Sequence, residues 1–189
     1  QLLLSGKAVV HPDGQSNDED PVVSELVSAN HSKEVIRSVL STKLFRPTDQ
    51  NLLEPCHRTV AEFLAAQWIA NALKDRLSVR RLQSILYGSN YTVPSALRGL
   101  HAWIGTLNST VAETFIQRDP YGFFRYGDPG ALNPQQLKNL YNSLEKLAED
   151  DPYFRTEDWG VSFGRGFARQ ELLNEFLNII RNHDLPLLA

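Results

Sequence analysis

The sequence predicts a mainly α-helical protein with one small β-hairpin. Three observations favour this fold class: apolar residues recur at helical spacing along most of the chain, helix-capping patterns precede several of these runs, and one turn-forming stretch stands between two apolar pairs. With 42% hydrophobic and 22% charged residues, the 189-residue chain has the composition of a folded globular protein with an ample core.

The first third of the chain predicts two short helices and a hairpin. Residues 11–21 are polar and turn-rich and are expected to form a loop, and Ser32 can cap the second helix. The apolar residues expected on these helices are Val23, Leu26, Val27, Val35, Ile36, Val39 and Leu40. The pairs 44–45 and 52–53 flank the turn-forming stretch 46–51, which predicts a β-hairpin. Helix, helix and hairpin in this order are the outline of a winged helix.

A long helix is expected to begin at Thr59. Residues 59–62 have the spacing of a capping box, with a hydroxyl at the cap and a carboxylate three residues later. Small side chains on this helix would allow close approach by neighbouring helices. They are Ala61, Ala65, Ala66, Ala70 and Ala72. Ser78 predicts the start of a further helix, and the domain boundary is expected near residue 75, between a winged-helix-like region (1–75) and a helical region (76–189).

The helical region is expected to form a HEAT- or armadillo-like array. Residues 110–113 offer a second capping box, and Asn133-Pro134 supplies a cap followed by proline at the first helical position. Asp119-Pro120-Tyr121 and Asp151-Pro152-Tyr153 each end a predicted helix, 32 residues apart. This period suggests stacked helical pairs. The alternative is a common Asp-Pro helix stop that occurs twice.

Charge and cysteine content narrow the classes of function. A net charge of −3 gives no general attraction to nucleic acid, and the short basic run within residues 74–81 is expected to be a solvated helix end. Cys56 is the only cysteine, which excludes an intrachain disulfide and favours a reducing compartment, so a cytoplasmic location is expected. No apolar run is long enough to span a bilayer. The lack of methionine and the initial Gln1 suggest part of a longer protein.

Motifs for nucleotide, metal and acid–base chemistry are incomplete. Residues 5–8 (SGKA) lack the leading glycine and the trailing hydroxyl of a phosphate-binding loop, and Gly164-Arg165-Gly166 follows no predicted strand. The five histidines show no zinc-binding spacing. The acidic residues at 149–151 and 157–158 lie at predicted helix ends and turns, where solvated charge is the usual explanation. We therefore assign no catalytic residue and no metal site.

His57 is the one candidate binding residue. A histidine at a helix N-terminus adds its ring N–H to unpaired backbone amides, and together these donors can hold an anion such as phosphate. A packing histidine at a helix entry is the alternative, and the physical argument alone favours it. Neighbouring side chains project in different directions, so a thiolate–imidazole pair of Cys56 and His57 would need a partner from elsewhere. We therefore expect Cys56 to be a buried cysteine and not a catalytic one.

The stretch HRTVAEFLAA (57–66) resembles the H-x-[ST]-[FV]-x-E-[FY]-L-A-A signature at the end of the winged-helix region in NACHT-type STAND NTPases. These are signal-transducing members of the AAA+ superfamily. The preceding residues 35–53 resemble the helix, leucine and hairpin run that leads into this motif in bacterial members. The resemblance implies that His57 contacts the β-phosphate of bound ADP and helps to hold the closed, inactive state. It also implies structural roles for Thr59 and Glu62.

The resemblance extends over about residues 35–128 and implies a helical sensor region downstream. The family's phosphate-binding loop, acidic Mg²⁺ motif and sensor arginine are missing and are expected upstream of Gln1, so this chain alone is not expected to hydrolyse ATP. The implied function is a regulatory sensor that couples nucleotide state to ligand sensing or assembly. Its implied partner is the upstream NTPase module, and the full-length protein would bind ATP or ADP with Mg²⁺.

Two alternatives belong to other classes of function. An autonomous helical-repeat scaffold would bind a protein or peptide, or assemble with itself, and His57 would then be structural. Its contact candidates are Trp103, Trp159, Phe123 and Phe124, although core packing is expected for most of them. The other alternative is a stand-alone hydrolase that uses Cys56 and His57. A phosphate-binding loop upstream in the longer protein would favour the ATPase over both.

Overall fold

The computed structural model describes residues 3, 9–12, 21–26, 31–155, 164 and 166–182. Within these residues it contains nine α-helices, three short 3-10 helices and one two-stranded antiparallel sheet, which confirms a mainly α fold with a small hairpin. The α-helices are α1 (Val23–Leu26), α2 (Lys33–Leu40), α3 (Arg58–Ala72), α4 (Val79–Leu86), α5 (Arg98–Leu107), α6 (Ser109–Arg118), α7 (Pro120–Tyr126), α8 (Pro134–Asp150) and α9 (Leu173–Arg181). The 3-10 helices are Ser95–Leu97, Pro129–Ala131 and Gln170–Leu172.

The chain divides into two compact units, Gln1–Ala65 and Ala66–Ala189. The domain boundary expected near residue 75 stays a prediction. None of the helices in the described ranges is both long and apolar enough to cross a membrane.

The first unit contains α1, α2 and the hairpin. Strands β1 (Phe45–Pro47) and β2 (Leu53–Pro55) pair antiparallel. The turn covers residues 48–52 and not the predicted 46–51, because Arg46 and Pro47 pair across the sheet. Val10 adds a bridge beside β2, since its amide donates to the Leu53 carbonyl at 2.8 Å. The small core cluster of this unit contains the buried residues Val10, Val23 and Leu40.

Helix α2 begins as the sequence predicts but is less buried. The Ser32 hydroxyl accepts a hydrogen bond from the Val35 amide, which confirms the N-cap. Val35 and Val39 are exposed, while Leu40 is buried and Ile36 packs against the small core. The expected four-residue apolar face is therefore only half used. Val27 and most of the expected loop at 11–21 lie outside the described residues.

Helix α3 begins two residues earlier than the predicted capping box requires. The Ala61 amide donates to the His57 carbonyl at 3.2 Å, which places His57 at the cap position and Thr59 inside the helix. Glu62 is bound by Arg58 at 2.8 Å instead of closing a box with Thr59. Thr59 as a cap is therefore wrong. Among the expected small contact residues, those in the second half of α3 are buried, namely Ala66, Ala70 and Ala72.

The second unit is built around α5, α6, α7 and α8. Ser78 caps α4 as predicted, and the Asn133 cap of α8 forms a complete capping box with Gln136, with Pro134 following. Helix α6 is capped by Asn108 and not by Thr110, whose amide donates to the Asn108 side chain at 3.0 Å. The main core cluster of the second unit comprises Ile116, Tyr121, Phe123, Leu132, Leu137, Leu140, Tyr141, Leu144, Phe167, Leu172 and Ile179.

The two Asp-Pro-Tyr sequences both follow the end of a helix but lead into different structures. Asp119 ends α6 and caps α7, and its Tyr121 is buried. Asp151 ends α8, and Tyr153 stands exposed in the turn that follows. The HEAT- or armadillo-like array stays a prediction.

Candidate functional site

His57 lies where the hairpin passes into α3. The Cys56 amide donates to the Leu44 carbonyl at 2.8 Å, so the backbone just before His57 is tied to the residue that precedes β1. His57 itself is exposed. The ring is therefore not sealed inside apolar packing. The phosphate-binding hypothesis requires such an accessible ring.

The first turn of α3 offers donors next to this ring. The first helical hydrogen bond runs from Ala61 to the His57 carbonyl, so amides that precede Ala61 have no acceptor within the helix. With 15 residues, α3 is long enough to develop the partial positive charge of a helix N-terminus. An exposed imidazole beside such a terminus suits an anion with several oxygen acceptors.

Arg58 and Glu62 add charge to the same turn. The Arg58 Nε lies 2.8 Å from Glu62 Oε1, and the Glu62 side chain is almost completely buried while that of Arg58 is largely exposed. The pair is an i,i+4 contact, and it holds the guanidinium against the side of α3. Thr59 is exposed at the second helical position.

Cys56 does not complete a catalytic pair with His57. Cys56 is partly buried, so the expectation of a buried cysteine is met only in part. Both residues belong to the described part of the chain, and no hydrogen bond joins their side chains.

The structure changes the list of contact candidates for a scaffold. Phe123 is completely buried, which agrees with the core packing expected for most of these aromatics and excludes it as a contact residue. Phe124 is partly buried and packs edge to face on Phe167 with ring centroids 4.9 Å apart, Trp103 is partly buried, and Trp159 lies outside the described residues. Trp68, at 65% exposure, is an exposed aromatic side chain that was not among the candidates, and Tyr91 and Tyr153 are exposed as well.

A helical spacing could have revealed Trp68. Val60, Leu64 and Trp68 are exposed and follow one another every four residues on α3, so they lie along one face of that helix. Apolar spacing alone does not say which face of a helix meets a partner, so Trp68 is not among the contact candidates predicted from the sequence.

The other candidate motifs come together in no binding site. The basic residues within 74–81 are exposed, Lys74 binds the Asn71 side chain at 3.0 Å, and Arg76 approaches Asp75 at 3.4 Å. In the described parts of the chain, no group of three His, Cys, Asp or Glu residues could hold a metal ion. Residues 5–8, Arg165 and the acidic pair 157–158 lie outside those parts.

His101 is a buried histidine that the sequence analysis did not single out. Its ring stacks on Phe115 with centroids 4.1 Å apart, and its Nε2 lies 3.4 Å from the Tyr87 hydroxyl. Burial lowers the pKa of His101 from 6.5 to about 4, partly opposed by Asp119 and reinforced by Arg118 and Arg98. Its place beside Leu100 and three residues before Ile104, both core residues, was the available signal.

A scan against protein-family models, a search of curated proteins and a search of solved structures each found no match. The resemblance to NACHT-type STAND NTPases therefore rests on the residues of the 57–66 motif and the run that precedes it.

Proposed function

We propose that this chain is a regulatory part of a signal-transducing STAND-type ATPase, in which His57 senses the phosphate of a nucleotide bound by an upstream NTPase module. The observation that carries this proposal is the exposure of His57 at the start of the 15-residue helix α3. An exposed ring N–H and the first-turn amides form a donor set that matches phosphate oxygens. The order helix, helix, hairpin and long helix supports the same proposal.

The proposed mechanism is a population shift. ADP whose β-phosphate contacts His57 would favour the closed arrangement of this region on the NTPase module, and nucleotide exchange would remove that preference. A nucleotide can shift the equilibrium only by its difference in affinity for the two arrangements. In this proposal, Glu62 keeps Arg58 along the helix and leaves the anion position to His57.

The nucleotide with Mg²⁺ belongs to the upstream module in this proposal. The part of the site in this chain offers N–H donors for an anion, and ATP or ADP would be held mainly by residues of that module. We further propose a cytoplasmic location, because nucleotide exchange takes place there and a single cysteine suits a reducing compartment.

The test is ADP retention by the longer protein that contains this chain. We expect His57→Ala to release ADP about tenfold to a hundredfold faster than the wild type, because a hydrogen bond to a charged group contributes about 1.5–3 kcal/mol. His31→Ala is the matched control, since His31 is also an exposed histidine of the first unit, and it should leave ADP release unchanged. Equal ADP retention by the wild type and both variants would contradict the proposal.

A protein-binding helical scaffold is the second candidate function. The exposed row of Val60, Leu64 and Trp68 on α3 favours it, because large apolar side chains that line one helix face are typical of contact surfaces. The two candidates differ in the role of His57, which is structural in a scaffold. Unchanged ADP release in His57→Ala would therefore favour the scaffold.

A further inference from the structure

His101 lies at a junction of three helices in the second unit. It belongs to α5, its ring stacks on Phe115 of α6 with an interplanar angle of 5°, and Tyr87 at the end of α4 covers its Nε2 edge. The side chain is completely buried. The imidazole is thus part of the packing that joins α4, α5 and α6.

The hydrogen bonding of this ring suits only the neutral form. Nε2 has the Tyr87 hydroxyl at 3.4 Å, and Nδ1 is buried with no hydrogen-bond partner among the described residues. A neutral imidazole has one donor and one acceptor, whereas an imidazolium has two donors and must find two acceptors. A protonated His101 would therefore leave a charged donor unsatisfied in an apolar site.

The neighbouring charged groups do not compensate for a proton on His101. On α6, the Arg118 guanidinium lies 5.4 Å from the centre of the Tyr87 ring. At the start of α5, Arg98 binds Asp119 with two hydrogen bonds of 2.8 and 2.6 Å. A cation at His101 would meet two guanidiniums and one carboxylate that Arg98 already holds.

The least buried neighbour of the His101 ring is Tyr87, so solvent would reach the ring most easily on that side. Phe115 on the stacked face is completely buried, while Tyr87 is only partly buried. The turn after Tyr87 is closed by its own hydrogen bonds, from Gly88 to the Thr92 carbonyl and from Tyr91 to the Gly88 carbonyl, both 2.9 Å. Residues 88–92 therefore form one hydrogen-bonded turn directly after Tyr87.

We propose that His101 is an acid-sensitive switch: uptake of a solvent proton by its ring breaks the stack on Phe115 and releases Tyr87, so that the end of α4 and residues 88–92 separate from α5. The change is reversible, and loss of the proton restores the packing.

Hydrogen exchange of the 189-residue chain at pH 7 and pH 5 tests the switch, after correction for intrinsic exchange rates. An opened state with the ordinary pKa of 6.5 and a closed state near 4 give a roughly twentyfold rise in the opening equilibrium between these pH values. We expect protection within 79–92 to fall by this factor, and protection within α8 to change much less. His101→Phe keeps a ring on Phe115 and cannot titrate, so its protection should not depend on pH.

His31→Ala is the control, because it removes an exposed histidine and should retain the wild-type pH dependence. A pH-dependent loss of protection of wild-type size in His101→Phe would overturn the proposal. If that variant does not fold, NMR titration of the wild-type imidazole decides. Titration of His101 near 6.5 in the folded chain would overturn the switch, and titration well below that value would support it.

Discussion

At Gly105, two opposing effects of one methyl group can be compared. Alanine is favoured over glycine within a helix by about 1 kcal/mol. A Cβ at Gly105 would lie 2.6 Å from Phe123 Cε2 and 3.2 Å from Phe115 Cβ, and both phenylalanines are completely buried. Neither ring can move towards solvent, so overpacking, which typically costs about 1–3 kcal/mol, should outweigh the gain in helix propensity.

We expect Gly105→Ala to lower the free energy of unfolding by about 1–2 kcal/mol in urea denaturation. Gly88→Ala is the control, because the nearest atom to its added Cβ is 3.4 Å away, an ordinary contact. It should change stability by less than about 0.5 kcal/mol. A Gly105→Ala variant as stable as the wild type would show that the Phe123 ring can shift without cost.

Single residues also show the limits of the sequence for the candidate site. The position of His57 before a long helix was predictable, because the motif combines a helix start with apolar spacing. Its exposure was not, and the argument from residues alone favoured packing. The spacing within α5 indicated that His101 faces the core, but its neighbours Tyr87 and Phe115 could not be predicted, since they come from the end of α4 and from α6.

Among the helices, α8 has the most complete local stop and start signals. The Asn133 side chain accepts from the Gln136 amide at 2.9 Å, and the Gln136 side chain accepts from the Asn133 amide at 3.1 Å. These bonds satisfy donors that the first turn cannot satisfy within the helix.

We expect Asn133→Ala to destabilise the chain by about 1 kcal/mol, which urea denaturation can resolve. Asn142→Ala makes the same substitution at an exposed position inside α8, where alanine has the better helix propensity. That variant should be neutral or slightly more stable. Equal destabilisation by both would mean that the cap contributes nothing specific.

The helix boundaries show which local signals were sufficient. Ser32, Ser78 and Asn133 were each predicted as N-caps, and each was predicted correctly. Thr59 and Thr110 have competing residues within two positions, and the chain caps those helices at an earlier residue. Spacing patterns identify a helix start to within one or two residues, and the backbone geometry selects among the candidates.

For the whole molecule, two buried side chains limit the pH range of high stability. His101 limits it on the acid side and Tyr141 on the alkaline side. Burial lowers the pKa of His101 to about 4 from 6.5, so the stability contributed by its neutral form is lost as the pH falls from 6.5 to 4. Burial, aided by Glu145, raises the pKa of Tyr141 from 10 to about 12, so its contribution is lost as the pH rises through that range.

We expect the free energy of unfolding to be highest between about pH 7 and 10, as measured by denaturation across the pH range. The His101 shift corresponds to about 3 kcal/mol lost between pH 6.5 and 4. His101→Phe should flatten the acid side only, and Tyr141→Phe the alkaline side only. A wild-type profile that both variants reproduce would show that other groups control these limits.

The fold class of the whole chain was predictable, whereas its arrangement was not. Helical spacing and turn residues were enough for a mainly α fold with a hairpin, because both are local properties. The two Asp-Pro-Tyr sequences are locally alike, yet Tyr121 is buried and Tyr153 is exposed. Their different surroundings come from distant parts of the chain, which a spacing argument does not include.

Asp119 joins three helices through one carboxylate. It follows the last residue of α6, binds Arg98 at the start of α5, and accepts the Gly122 amide in the first turn of α7 at 3.0 Å. Any fluctuation that detaches one of these helices here must break the contacts of the same group. Helices α5, α6 and α7 should therefore unfold as one cooperative foldon and not one after another.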